Sequence, residues 1–269
     1  MSPPRNPPRV LSIAGSDSGG GAGIQADLKA FARCGVHGMT AITAITAQNT
    51  TAVTGVWAIP PAAIVEQVRA VAEDIGVDAV KIGMLGDAET IAAVDEALDL
   101  VGDAPVVLDP VMVAESGASL LRSDAQSALR ERLLPRASVI TPNVHEAAAL
   151  ARIDETAAND IEVLARALHA LGPAAVVVTG GHREQATDVF YDGERLVEIP
   201  GERYDRGAAH GSGCTHSSAL AAHIALGFGP LEAAQAAKRI AAEAVRQGLA
   251  GIGAGPGPVD VFGLKERHG

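Results

Sequence analysis

Aromatic residues make up 3% of this 269-residue chain, and it contains only two cysteines, Cys34 and Cys214. With Trp, Tyr and Phe so scarce and hydrophobic residues at 48%, the core must be built from Ala, Val, Ile and Leu, as when helices cover both faces of a sheet. The cysteines lie far apart and form no CxxC pair, which leaves neither a disulfide framework nor a cysteine zinc site and suits a reducing cytoplasm. No Lys/Arg cluster stands out and the net charge is −11, so nucleic acid and an anionic membrane surface are poor partners. Residues 34–65 carry no Asp, Glu, Lys or Arg, but their threonines, Gln48, Asn49 and Pro60-Pro61 suit a buried strand, turn and strand better than a membrane span. The apolar run VLSIAG is too short for a signal-peptide core, and residues 1–8 read as a frayed tail. Catalytic signatures are missing as well: no Gly-Lys-Ser/Thr P-loop, no GxSxG elbow and no HExxH zinc helix occurs.

Short β-branched runs do recur, at 9–15, 38–48, 78–83, 105–110, 138–143 and 174–181, with segments of helical apolar spacing between them. Such alternation predicts an α/β fold with a mostly parallel sheet and helices on both sides. Asp192-Gly193 between two alternating runs predicts a hairpin at an antiparallel edge. No linker, repeat or charge block divides the chain, so a single domain over 1–269 is expected.

Ligands of open α/β sheets bind beyond the carboxyl ends of the strands. In this chain those ends read GSDSGGGAGIQAD, AQNT, GML, DPVM, TPNVHE, TGGH and HGSGCT. The first loop fails the Rossmann spacing because Ile24 stands where a glycine is needed. It is either a simple tight turn or, with Ser16, Asp17 and Asp27 around it, a place where backbone approaches a small substrate closely. The loop HGSGCT precedes a helix, so the N–H groups of residues 211–214 are expected to be free to bind a phosphoryl group. Cys214 is then either a thiol whose pKa the helix terminus lowers, or a small buried residue behind an N-cap at Ser212. Asp109, Asn143 and Glu146 at consecutive strand ends suit Mg²⁺ bound with phosphate, while a turn at Asp109 and a first-turn acid at Glu146 explain the same residues without a metal.

Taken together, GSDSGGGAGIQADLKAF, ITAQNT, KIGML, LDPVM, ITPNVHEA, GGH and HGSGCT resemble the hydroxymethylpyrimidine and hydroxymethylpyrimidine-phosphate kinases of the ribokinase-like superfamily, from about Arg9 to Val259. The resemblance implies a ribokinase-like three-layer α/β/α sandwich. It implies phosphorylation of the pyrimidine hydroxymethyl group with ATP and Mg²⁺, and a second transfer onto the monophosphate. By resemblance Cys214 is the base or positioning residue, and the amides of Gly211, Ser212 and Gly213 cradle the phosphoryl group. Gln48 reads the aminopyrimidine edge, Asp27, Gly15 and Met84 line the pocket, and Asp109, Asn143 and Glu146 form the magnesium region. Thr179, Gly181 and Lys238 fall on the nucleotide side, and relatives are commonly homodimers.

The chain departs from the family pattern on that same side. Thr179 stands where Lys is common, Glu115 where Lys or Thr is common, Ala208-Ala209 replace a polar pair, and the ending reads GPGPV over 255–259. Lys81, Arg183, Arg206 and Lys238 are candidate sources of positive charge. A pyridoxal kinase is the nearest alternative, and a pyrimidine-binding sensor without catalysis is a third.

Overall fold

The computed structural model describes residues 6–113, 117, 120–154, 160–180, 186–204 and 208–267. Its strands, in chain order, are β1 (Arg9–Ala14), β2 (His37–Ile42), β3 (Ala44–Gln48), β4 (Val53–Ala58), β5 (Ala79–Ile82), β6 (Val106–Leu108), β7 (Val139–Ile140), β8 (Val176–Val178), β9 (Asp188–Tyr191) and β10 (Leu196–Ile199). Eight of them form one sheet in the order β10-β9-β8-β7-β6-β5-β1-β2, in which β9 runs opposite to the rest and pairs antiparallel with both β8 and β10. The edge hairpin turns at Asp192-Gly193 as the sequence predicts, and Asp192 Oδ1 accepts the N–H groups of Glu194 and Arg195.

Helices α1 (Gly23–Cys34), α2 (Pro61–Asp74), α3 (Ala88–Leu98), α4 (Ser123–Ala128), α5 (Val144–Ala151), α6 (Ile161–His169), α7 (Ser212–Ala225) and α8 (Pro230–Arg246) cover the sheet. Successive strand residues point to opposite faces, and the core divides accordingly. Leu11, Val80, Ile82 and Leu108 pack with Ile64, Ile91, Ala125, Ala147 and Leu164 of α2 to α6. Val10, Ala79, Val107 and Val177 pack with Phe31, Leu220 and Ala233 of α1, α7 and α8. The three-layer sandwich therefore follows from parallel strands that are apolar on both sides.

The run 38–48 does not form one strand. It breaks at Thr43, whose N–H bonds back to Ala14, so that β2 stays in the large sheet while β3 leaves it to pair with β4. Nor is the segment 34–65 buried throughout: Ile45, Val56 and Trp57 on β3–β4 are 41%, 53% and 60% exposed. The tail reading of residues 1–8 also needs correction, since Pro8 accepts the N–H of His37; residues 1–5 lie outside the described residues.

Phe31 is fully buried between α1 and the sheet. Phe31→Ala should therefore cost about 3–5 kcal/mol, measured as a fall in unfolding free energy in urea; a change below about 1 kcal/mol would contradict this packing.

Candidate active site

The chain runs from β1 outward to β2, and then returns to place β5 on the other side of β1. That reversal opens a crevice at the carboxyl ends of β1 and β5, the usual ligand position of such sheets. The two strand ends are tied together there, because Gly15 N–H bonds to Met84 O at 3.2 Å. A Cβ on Gly15 would lie 2.2 Å from Met84 Cε, so these two predicted pocket residues do meet.

Asp17 holds the glycine loop that follows. Its carboxylate accepts the N–H groups of Gly19, Gly21 and Ala22 at 2.8–3.0 Å and lies 2.9 Å from His210 Nε2. Burial works to raise its pKa, but the His210 contact and the Ala22 and Gly19 amides outweigh that and hold it below the usual carboxylate range. The loop thus reaches across the chain to the start of α7. From the other side His210 pairs with the C-terminal segment: its N–H bonds to Gly257 O, and Val259 N–H bonds to His210 O. The same segment reaches the β3–β4 turn, where Gly255 N–H bonds to Thr50 Oγ1 at 3.2 Å.

At the start of α7 the residue that caps the helix is Gly211, not Ser212. Gly211 has φ +83°, and a Cβ there would sit 1.7 Å from Gly21 O, so glycine is required on both counts. Ser212 N–H is used by Ala209 O, whereas the N–H groups of Gly211, Gly213 and Cys214 have no acceptor among the described residues. A side chain at Gly213 would meet nothing within 4 Å. Three donors without an acceptor among the described residues thus sit at the N-terminus of a 14-residue helix, with open space at Gly213, an arrangement that attracts phosphate oxygens.

Cys214 is half-buried, with the backbone N–H of Gly23 directed at its sulfur. Of the two readings of Cys214, a lowered pKa or a small buried residue, its surroundings agree with the second: burial pushes the thiol up to about 12, with the Lys81 ammonium opposing and Asp27 and Asp109 adding to the rise. Lys81 lies wholly buried on the α1/α7 face of β5 and contacts Asp27 at 3.0 and 3.1 Å. Its pKa is raised, since the attraction of Asp27, Cys214 and Asp109 exceeds the burial that would lower it. Asp27 also accepts from Ser12 at 2.6 Å and Ser218 at 2.8 Å. The resemblance makes Asp27 a pocket-lining residue, but the structure seals it under the crevice at 0% exposure, as the partner of Lys81.

Gln48 ends β3 at a bulge, half-buried, and its backbone is fixed by Ser18 Oγ. Its Oε1 is 3.4 Å from Thr46 Oγ1, and its Nε2 has no partner among the described residues. The carboxamide is thus available to a ligand edge that both donates and accepts.

Asp109 and Glu146 approach closely enough that the negative charge of one raises the pKa of the other: burial first, then Asp109, pushes Glu146 up to about 8, and burial also raises Asp109. Ser217 Oγ donates to Asp109 Oδ2 at 2.9 Å, and Oδ1 has no partner among the described residues. Asn143 and Glu146 form a capping box at α5, with Asn143 Oδ1 accepting Glu146 N–H and Glu146 Oε2 accepting Asn143 N–H. Glu146 Oε1 accepts Met112 N–H at 3.2 Å. A magnesium ion that keeps several waters and phosphate oxygens fits the two repelling carboxylates; Asn143 Oδ1 and both Glu146 oxygens each accept one backbone N–H, which leaves each a second lone pair. Among the described residues no group of three His, Cys, Asp or Glu side chains is placed to hold a metal by itself.

On the nucleotide side Gly181, Glu115, Arg183 and Arg206 lie outside the described residues. Thr179 is tied to Pro142 O through its N–H at 2.8 Å and its hydroxyl at 3.4 Å. Lys238 is not free to meet phosphate as expected: its Nζ lies 2.6 Å from the buried Asp188 Oδ1, which also accepts Gly180 N–H. His216 sits 3.6 Å from the other oxygen of Asp188, and burial lowers its pKa, leaving the imidazole neutral.

The residue-by-residue reading missed Ser12, Ser217 and Ser218 and gave Lys81 no position. The signals were present as a lysine inside an otherwise apolar strand, DAVKIG, and as two serines inside an Ala-rich helix.

The family model described as phosphomethylpyrimidine kinase matches residues 17–260. The chain belongs to that family. It is 50% identical over 259 residues to the hydroxymethylpyrimidine/phosphomethylpyrimidine kinase of Rhizobium meliloti, covering 94% of this chain and 96% of that one. Among solved structures it resembles an ADP complex of Bacillus subtilis pyridoxal kinase, with TM-score 0.87 and 39% identity, covering 97% of this chain and 99% of that one. It also resembles the phosphomethylpyrimidine kinase of Clostridium difficile, with TM-score 0.76 and 39% identity, covering 86% and 96% of the two chains. The ribokinase-like sandwich expected from the motifs is shared with these kinases.

Because Glu146 has a raised pKa in the folded chain, its stabilising share is complete below the unfolded value of about 4.3 and is lost as pH rises through about 8. In metal-free protein, unfolding free energy should therefore fall as pH rises from about 4.3 to about 8 and level off above that, and Glu146→Gln should flatten that fall. Equal pH slopes for the two proteins in denaturant titrations would refute the assignment.

Proposed function

We propose that the protein transfers the γ-phosphoryl group of ATP to the hydroxymethyl group of hydroxymethylpyrimidine, and then phosphorylates the resulting monophosphate, as a single-domain kinase of thiamine biosynthesis. The observation that carries this reading is the turn at the start of α7. It brings together three N–H groups without an acceptor among the described residues, from Gly211, Gly213 and Cys214, beside the Cys214 thiol.

In this reading Gln48 holds the aminopyrimidine edge, while Gly15 and Met84 limit the floor beneath the ring. The substrate oxygen bonds to the γ-phosphorus as the bond to the bridging oxygen of ADP breaks, and the hydroxyl proton passes to the sulfur of Cys214 in its thiolate form, the thiol itself having no site for a second proton. A strong base is not needed, because phosphoryl transfer goes through a loose transition state in which positioning and charge stabilisation dominate. The three amides receive the charge of the moving group. Magnesium supplies neutralisation of phosphate charge, and Asp109 and Glu146 are the residues that would hold it. The uncovered apolar side chains of β3–β4, Ile45, Val56 and Trp57, support a homodimer. A cytoplasmic setting agrees with two free cysteines and with the lack of a described helix long and apolar enough to cross a membrane.

The likeness to pyridoxal kinase gives a second reading, with pyridoxal as the acceptor. Mass spectrometry after incubation with Mg-ATP and either acceptor separates them. Mono- and then diphosphorylated pyrimidine is the expected result; phosphorylated pyridoxal with unchanged pyrimidine would replace it. Cys214→Ala should lower turnover about a hundredfold while sparing pyrimidine binding. Gln48→Ala should raise the KM for the pyrimidine about tenfold. Unchanged turnover in the first variant, or an unchanged KM in the second, would remove that residue from its role.

A further inference from the structure

The mechanism above leaves one strongly charged feature unused, the ion pair sealed beneath the crevice. Lys81 and Asp27 are both at 0% exposure. Taking two charges out of water costs several kcal/mol per ion even after relaxation, and an apolar pair of similar volume often holds a fold as well or better. Packing alone therefore does not account for them.

Three placements bear on what the pair does. The Lys81 stem runs along β5 toward its carboxyl end because Gly83, two residues on and on the same face, offers no side chain; a Cβ there would lie 2.7 Å from Lys81 Nζ. The charge is thereby delivered to the end of the strand where the crevice opens. Cys214, Ser217 and Ser218 are spaced i, i+3 and i+4 on α7 and share one helix face. Ser218 bonds to Asp27 and Ser217 to Asp109, so that face, with Cys214 at its outer end, lies directly over the pair. Finally, Asp27 belongs to the first turns of α1, the helix whose Gly23 N–H points at the Cys214 sulfur.

We propose that Lys81 is a positioning residue for Cys214: held against Asp27 behind the α7 turn, its ammonium is the fixed positive charge that favours the thiolate and so sets the reactivity of the sulfur. This rests on Cys214 being the residue that meets the acceptor hydroxyl. Among the described residues the charged groups that face the sulfur are Lys81 from β5, Asp27 from α1 and Asp109 from the end of β6, and Lys81 is the cation of the three. Asp27 has two opposed effects, fixing the ammonium in place while its own negative charge works against the thiolate.

Those opposed signs give the test. The second-order rate of Cys214 alkylation by iodoacetamide is measured from pH 6 to 10 in the full chain without ATP or metal, with peptide mass spectrometry separating Cys214 from Cys34. Lys81→Met should slow Cys214 alkylation at pH 8 about tenfold or more, the size of one pKa unit in thiolate fraction, while Asp27→Asn should speed it. A pair that merely holds the fold predicts a change of the same sign in both variants, or none, and either result overturns the proposal. Removing one partner of a buried pair can prevent folding, so circular dichroism accompanies each variant and the neutral double variant Lys81→Met/Asp27→Asn is included. The double variant should alkylate about tenfold more slowly than Asp27→Asn alone; equal rates would again overturn the proposal. Alkylation needs no acceptor and no phosphoryl transfer, so these rates stay readable even where the kinase assay fails.

Discussion

A lysine ammonium and an aspartate carboxylate, both removed from water, meet where β1, β5, α1 and α7 converge. Ser12 from β1, Lys81 from β5 and Ser218 from α7 all bind the one Asp27 carboxylate of α1. An unpaired charge at this depth would be very costly, so these four elements can approach only in the geometry that satisfies it. The crevice and the phosphate-facing turn inherit that geometry. The glycine loop lies one step further out, at the start of α1, the helix that carries Asp27, and it is held by its own set of contacts through Asp17.

Much of the site was legible because the chemistry of strand ends is local. Glycine before a helix, an acid and a carboxamide after apolar runs, and a cysteine in a turn are visible in short stretches, and the structure brings Gly15 against Met84, Asp109 against Ser217 of the helix that begins at the cysteine turn, and Gln48 against the glycine loop. The layers of the fold were legible for a related reason: buried parallel strands are continuously apolar, and that signal survives without knowledge of partners. Where one run served two sheets, as at Thr43, composition could not show the break, because Thr, Ala and Ile suit either side of it.

The roles that were misjudged all depend on partners distant in sequence. Lys238 looks like a free cation until Asp188, fifty residues earlier, neutralises it. Asp27 looks like a pocket carboxylate until Lys81 closes over it. For the thiol at a helix N-terminus the sequence left two readings open, and burial outweighs the helix field. Asn143 and Glu146 illustrate a different limit, since the same four residues spell both a capping box and half of a metal site.

The contacts of residues 255–259 with Thr50 and His210 make the site depend on parts of the chain far apart in sequence. Gly255 N–H bonds to Thr50 Oγ1 beyond the end of β3, while Gly257 O and Val259 N–H pair with His210, the residue that Asp17 contacts. Ser18 ties the same glycine loop to Gln48, so the loop, the β3–β4 turn, the start of α7 and residues 255–259 form a closed ring of hydrogen bonds. A substitution that loosens one member of the ring is felt by the other three.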